Sequence, residues 1–167
     1  MARRLPIVRV GAWYHVTNRG LNGSTLFPTT QETEAFVTSI GEMAERFAVE
    51  IHAFCAMGTH YHLLVRAHEG ELRRAIKELE VGLATEAPRL LPMSFGRHLL
   101  QVTRYIHRNP VEAGLATHPN AWPWSSFRGY LDRLEAPGWL RTDAVLGWLG
   151  QVGARQKYLR FVMKDID

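Results

Sequence analysis

The sequence predicts an α+β protein in which helices pack on an antiparallel sheet. Three observations carry this. Short runs rich in aromatic and β-branched residues alternate with longer runs whose apolar residues recur at helical spacing. Two of the strand-like runs are separated only by Gly58-Thr59, which reads as a hairpin. The order is strand, helix, strand, strand, helix, breaker segment, helix, with no repeat or low-complexity stretch.

Trp13-Tyr14-His15-Val16-Thr17-Asn18-Arg19 forms the first strand, after a basic arm at residues 1–10 that includes Arg3, Arg4 and Arg9. Gly20-Leu21-Asn22-Gly23-Ser24 is a loop that matches neither the P-loop nor the dinucleotide pattern. Thr29, three residues before Glu32, starts a helix with a capping box, and Ala35, Phe36, Ile40, Met43, Ala44 and Phe47 give it an apolar stripe. Residues 49–57 alternate as a second strand, with Val49, Ile51, Ala53 and Cys55 expected on one face and His52 on the other. His60 to Arg66 is the third strand. Glu69-Gly70-Glu71 opens a second helix through Leu72, Ala75, Ile76 and Leu79. Gly82, Pro88, Pro92 and Gly96 then interrupt the chain, and Arg89-Leu90-Leu91 reads as a short strand or a loop. His98 to Asn109 is a helix that Pro110 is expected to end. Residues 111–130 read mostly as loop, and the tail from Thr142 to about Val162 has helical spacing. The expected organisation is a domain at 1–118 and a helical extension at 119–167 packed on it.

Composition narrows the function classes. With 167 residues and 46% hydrophobic content the chain can build a real core, which argues against global disorder. A single cysteine, Cys55 in an apolar run, excludes an internal disulfide framework and a cysteine-based zinc site. The basic start leads into no long apolar segment, so neither a signal peptide nor a membrane span is expected, and the reading points to the cytoplasm of a prokaryote-type cell. The formal net charge of +4, carried mainly by arginines, suits an anionic partner such as nucleic acid.

The chemistry centres on His60-Tyr61-His62. On a strand the two imidazoles point the same way and Tyr61 points opposite, which makes half of a metal site. Taken alone, the pair is weak evidence, since a strand with two exposed histidines reads the same way. The helix 98–109 adds Tyr105 and Asn109, four residues apart and so on one helix face. A tyrosine is a competent nucleophile when its phenolate is stabilised, and an asparagine carbonyl one turn away can be an oxygen ligand. Spacing alone also allows Tyr105 to be a ring packed on the sheet. Arg104 and Arg108 flank the tyrosine and are candidate DNA-backbone contacts, with Arg19 and Arg97. Trp122 and Trp124 read as a clamp of the tail on the core, or as base-stacking residues.

The string His60-Tyr61-His62-Leu63-Leu64-Val65, followed by Tyr105-Ile106-His107-Arg108-Asn109-Pro110-Val111-Glu112-Ala113-Gly114-Leu115, resembles the single-tyrosine HUH transposases, and within them the REP-associated tyrosine transposases. Tyr14-His15-Val16-Thr17-Asn18-Arg19-Gly20 and Trp122-Pro123-Trp124-Ser125-Ser126 extend the likeness, collinear over roughly residues 10–130. The resemblance implies a ferredoxin-like fold with Mg²⁺ or Mn²⁺ bound by His60 and His62, and Asn109 as third ligand. It implies Tyr105 attacking a single-stranded DNA phosphodiester to leave a 5′-phosphotyrosine link and a free 3′-hydroxyl. The implied partner is single-stranded or hairpin DNA; a homodimer stays open.

This sequence departs from the family pattern in carrying Tyr61 between the histidines and Gly58-Thr59 before them. Residues 80–97 are also short, so the fourth strand is expected to be either reduced to about Arg89–Phe95 or missing. A missing strand would expose a sheet edge. Two further readings follow: a catalytically weakened or non-enzymatic DNA-hairpin-binding protein on the same scaffold, and a metal hydrolase that uses the histidine pair alone.

Overall fold

β1 (Trp13–Arg19), β2 (Val49–Ala56), β3 (His60–Ala67) and β4 (Arg89–Met93) form one antiparallel sheet in the order β2-β3-β1-β4. With α1 (Thr30–Arg46) between β1 and β2, and α2 (Leu72–Leu79) between β3 and β4, this is the ferredoxin-like arrangement. The structure is a computed structural model that describes residues 8–68 and 70–166. Arg3 and Arg4 of the basic arm, and Glu69 at the opening of the second helix, lie outside the described residues.

The sheet has an apolar layer on each face. Phe36, Ile40 and Met43 of α1, with Leu72 and Ile76 of α2, pack on Val16, Leu63 and Val65. The Thr29 side chain accepts from Glu32 N–H, and Glu32 bonds back to Thr29 N–H, so the capping box forms as expected. On the other face, α3 (Arg97–Glu112) and the C-terminal segment enclose a second core of Leu99, Ile106, Phe127, Tyr130, Tyr158 and Val162 against Ala53, Cys55 and Leu64. The extension therefore shares a core with the sheet.

The fourth strand is present. It pairs with β1 over five positions, from Trp13↔Met93 to Thr17↔Arg89, and is short because Pro88 and Gly96 bound it closely. As an edge strand it tolerates Pro92, which has no N–H to give to a further neighbour. The opposite edge, β2, is covered by the extension: Ser126 N donates to Phe54 O (2.9 Å), Ala56 N to Trp124 O (2.8 Å) and Arg141 N to Ile51 O (2.9 Å).

Three local expectations are corrected. A β-bulge shifts the β2 register between Ile51 and Ala53. Val49 and Ile51 thus share a face with Phe54 and Ala56, while Ala53 and Cys55 face the α3 side. An extra residue reverses strand parity, which alternation alone does not reveal. Pro110 does not end α3, which runs on to Glu112 before Gly114 takes a positive φ of 71°. Residues 111–130 are mostly loop, as expected, and a further short helix, α4 (Phe127–Leu131), begins near their end. The tail is split into α5 (Asp143–Leu146) and α6 (Ala154–Met163), with Gly150 and Gly153 at φ 88° and 67° between them. Among the described residues no helix is long and apolar enough to cross a membrane.

Candidate metal and tyrosine site

The site lies where α3 crosses the His60–His62 strand. Two residues along a strand advance about 6.6 Å, and four residues along a helix advance about 6 Å. The His60/His62 pair and the Asn109/Tyr105 pair therefore match in length and meet face to face. His60 Nε2 is 3.0 Å from Asn109 Oδ1. The Tyr105 ring stands edge-on to His62 with centroids 5.5 Å apart, and 52% of Tyr105 is exposed.

Tyr61 points away, as strand parity requires. Its hydroxyl donates to Glu80 Oε1 at 2.6 Å, and the Asn18 amide donates to the same oxygen at 2.6 Å. Burial first, then the Glu80 charge, push the Tyr61 phenol well above its ordinary value. It is a buried anchor that stays protonated, beneath the strand that presents the histidines.

A third histidine joins the group. His15 lies on the same face of β1, and its Nε2 is 3.0 Å from His62 Nδ1. Burial lowers the His62 pKa to about 3, with His15 and His60 adding to the effect. Burial, then the Arg89 charge, lower that of His15 to about 4. Both rings are neutral at pH 7, the form in which an imidazole nitrogen ligates a metal.

These residues fit a divalent cation on two counts. His62 Nε2 is buried and has no hydrogen-bond partner, so it offers a lone pair whenever the ring proton sits on Nδ1. The 3.0 Å between His60 Nε2 and Asn109 Oδ1 also matches the edge of an octahedron, since two ligands at about 2.1 Å and a right angle stand about 3.0 Å apart. No group of three or more His, Cys, Asp or Glu side chains among the described residues could hold a metal. A metal site here would need the Asn109 amide oxygen as its third donor.

The predicted arginines divide. Arg19 is exposed, forms an ion pair with Glu86 at 2.9 Å, and sits with His60 and Arg89 on a cleft of about 460 Å³. Arg97 is exposed at the first position of α3. Arg104 and Arg108 have a different engagement from the flanking role expected. Arg104 donates to Phe161 O (2.8 Å) and Lys164 O (2.7 Å), and Arg108 donates to Lys164 O (2.6 Å) and pairs with Glu112 (2.9 Å). They satisfy the open carbonyls at the end of α6 and fasten it to α3. Trp122 takes the clamp role: its indole N–H donates to Ala56 O at 3.0 Å, and its ring meets Trp124 at 5.0 Å.

Sequence reading missed His15 as part of the site and gave Arg89 no place beside it. Strand parity puts His15 on one face with Trp13 and Thr17, but only the pairing of β1 beside β3 shows that this is the His62 face. A larger cleft of about 830 Å³ lies between α1 and Trp139 and contains none of these side chains.

No protein-family model matches the sequence. No curated protein matches it either. Among solved structures, that of a REP-associated tyrosine transposase bound to a REP hairpin superposes with a TM-score of 0.65, covering 86% of this chain and 93% of that one at 19% identity. The chain has the tyrosine transposase fold. On that fold His15, His60 and His62 share one face of the sheet, and Tyr105 and Asn109 meet them from α3. At this identity the likeness is one of fold, and the chemistry rests on the side chains described above.

Proposed function

We propose that this protein cleaves and rejoins single-stranded DNA beside a hairpin, with Tyr105 as nucleophile and a Mg²⁺ or Mn²⁺ ion held by His60, His62 and Asn109. One observation carries the reading. An exposed tyrosine stands edge-on to a buried histidine whose Nε2 has no partner, and one helical turn on, Asn109 Oδ1 meets His60 Nε2 at 3.0 Å. The hairpin DNA in the solved structure that shares the fold supports the substrate class.

In this reading Tyr105 Oη attacks the phosphorus. The Oη–P bond forms, the P–O3′ bond breaks, and the 5′ end of the DNA stays on Tyr105. The phenolic proton passes to water at the open face, and the departing 3′-oxygen takes a proton from water. Attack by the 3′-hydroxyl reverses these changes and rejoins the strand. The bound ion would polarise the phosphoryl oxygen and offset its charge. Arg89 and Arg19 line the cleft beside His60 and in this reading hold flanking phosphates.

The test incubates labelled hairpin single-stranded DNA with the protein and Mn²⁺, then looks for label that survives denaturing electrophoresis on the protein. A covalent adduct with the parent and none with Tyr105→Phe is expected. An equal adduct from Tyr105→Phe overturns the assignment of the nucleophile. Salt-dependent hairpin binding with no adduct from the parent favours a binding protein on this scaffold.

A further inference from the structure

The structure assigns His15 a role that rests on the metal reading above: we infer that it is a positioning residue that fixes the His62 tautomer and ring so that His62 Nε2 presents a bare lone pair to the cation. His15 sits diagonally across from His62, since β1 and β3 pair Thr17 with His62 and His15 with Leu64. The two rings are nearly parallel, 24° apart, and His15 Nε2 lies 3.0 Å from His62 Nδ1.

A neutral imidazole carries one proton, so this contact has two forms. When His62 donates from Nδ1, His15 Nε2 accepts and His62 Nε2 is left as a lone pair. When His15 donates, the single proton of His62 moves to Nε2, where it is buried with no acceptor. The second form strands a donor that no cation can satisfy. The first strands an acceptor that a cation satisfies directly. His15 can adopt the required form because its own proton then sits on Nδ1, an atom that is not among the buried nitrogens lacking a partner. Its place on a central strand, paired with β3 on one side and β4 on the other, fixes where that acceptor stands. Partners of this kind set both tautomer and ring orientation in metal-binding histidines.

The experiment uses the full chain with Mn²⁺ alone as probe. Calorimetric affinity is measured for the parent, His15→Leu and His15→Gln, each first checked by thermal melting. His15→Leu removes the acceptor and is expected to weaken Mn²⁺ binding about 10- to 100-fold. His15→Gln, whose Oε1 can accept in place of Nε2, is expected to stay within about threefold of the parent. Undiminished affinity in a folded His15→Leu overturns the inference, as does equal weakening by both variants, the outcome of a merely structural role. Nitrogen-15 NMR of the metal-free parent gives an independent readout, with His62 expected to be protonated at Nδ1. Finding the proton on Nε2 overturns the inference even if neither variant folds. A parent that binds no Mn²⁺ sinks the metal reading of Proposed function, while the NMR readout still decides the tautomer.

Discussion

His60 Nε2 and Asn109 Oδ1 stand 3.0 Å apart although 49 residues separate them in the chain. One comes from the first position of a strand and the other from the last turns of a helix on the opposite side of the core. Their meeting makes the Asn109 carbonyl testable as a ligand. Asn109→Ala is expected to lower Mn²⁺ affinity and the rate of DNA adduct formation by at least about tenfold, the scale on which loss of even an outer partner acts. Asn109→Asp keeps an oxygen in place and is expected to retain binding. Calorimetry with Mn²⁺ checks both.

Tyr105 is 52% exposed and its hydroxyl makes no hydrogen bond among the described residues. Tyr105→Phe is therefore expected to change unfolding free energy by no more than about 0.5 kcal/mol, as for other surface changes, while removing the adduct. Urea titration of both proteins separates loss of chemistry from loss of fold.

The arginines are expected to behave as two classes. Arg89→Ala takes a cation from the cleft beside His60 and should weaken hairpin binding at low salt, reducing the slope of log affinity against log salt by about one. Arg104→Ala should leave that slope unchanged. It removes charge-assisted bonds to the carbonyls of Phe161 in α6 and of Lys164 just past it, of which the part-buried one to Phe161 is worth about 1.5–3 kcal/mol, and should speed amide exchange across Ala154–Met163. Binding isotherms at several salt concentrations and hydrogen-exchange mass spectrometry distinguish the two.

His107 ties α3 to the extension. Its Nδ1 meets Tyr158 Oη at 2.5 Å and its Nε2 meets Ser126 Oγ at 2.6 Å. Burial holds its pKa down from the ordinary 6.5 to about 3. Because the folded value is the lower one, the unfolded chain takes up the proton first as pH falls. The stability that neutral His107 allows is full above about pH 6.5 and is lost between there and about pH 3, at a slope approaching about 1.4 kcal/mol per pH unit. His107→Gln is expected to be less stable at neutral pH and to lose less on acidification, measured by urea unfolding from pH 7 to 4.

Ala48, exposed between α1 and β2, has a φ of +50°. A side chain there strains the turn that glycine would fill without cost. Ala48→Gly is expected to stabilise the fold by about 0.5–1 kcal/mol, read as a higher urea midpoint with an unchanged slope.

The sequence by itself determined the strands and helices that follow local rules. The alternation of Trp13–Arg19, the Thr29/Glu32 capping box, the Gly58-Thr59 turn and the shared strand face of His60 and His62 are set by side-chain periodicity and short-range hydrogen bonds. Tyr105 and Asn109 were legible as one helix face for the same reason. Tertiary structure alone decided what those faces meet. The bulge after Ile51 reverses the parity of β2 through pairing with β3, and no local signal marks it. β4 exists because β1 offers it a partner, although Pro88, Pro92 and Gly96 all argue against a strand. His15 enters the site because β1 lies beside β3, and Arg104 and Arg108 turn to α6 because its end leaves carbonyls unsatisfied within their reach. Local propensity acts over a few residues, whereas pairing register, edge cover and the direction of a long side chain depend on neighbours tens of residues away.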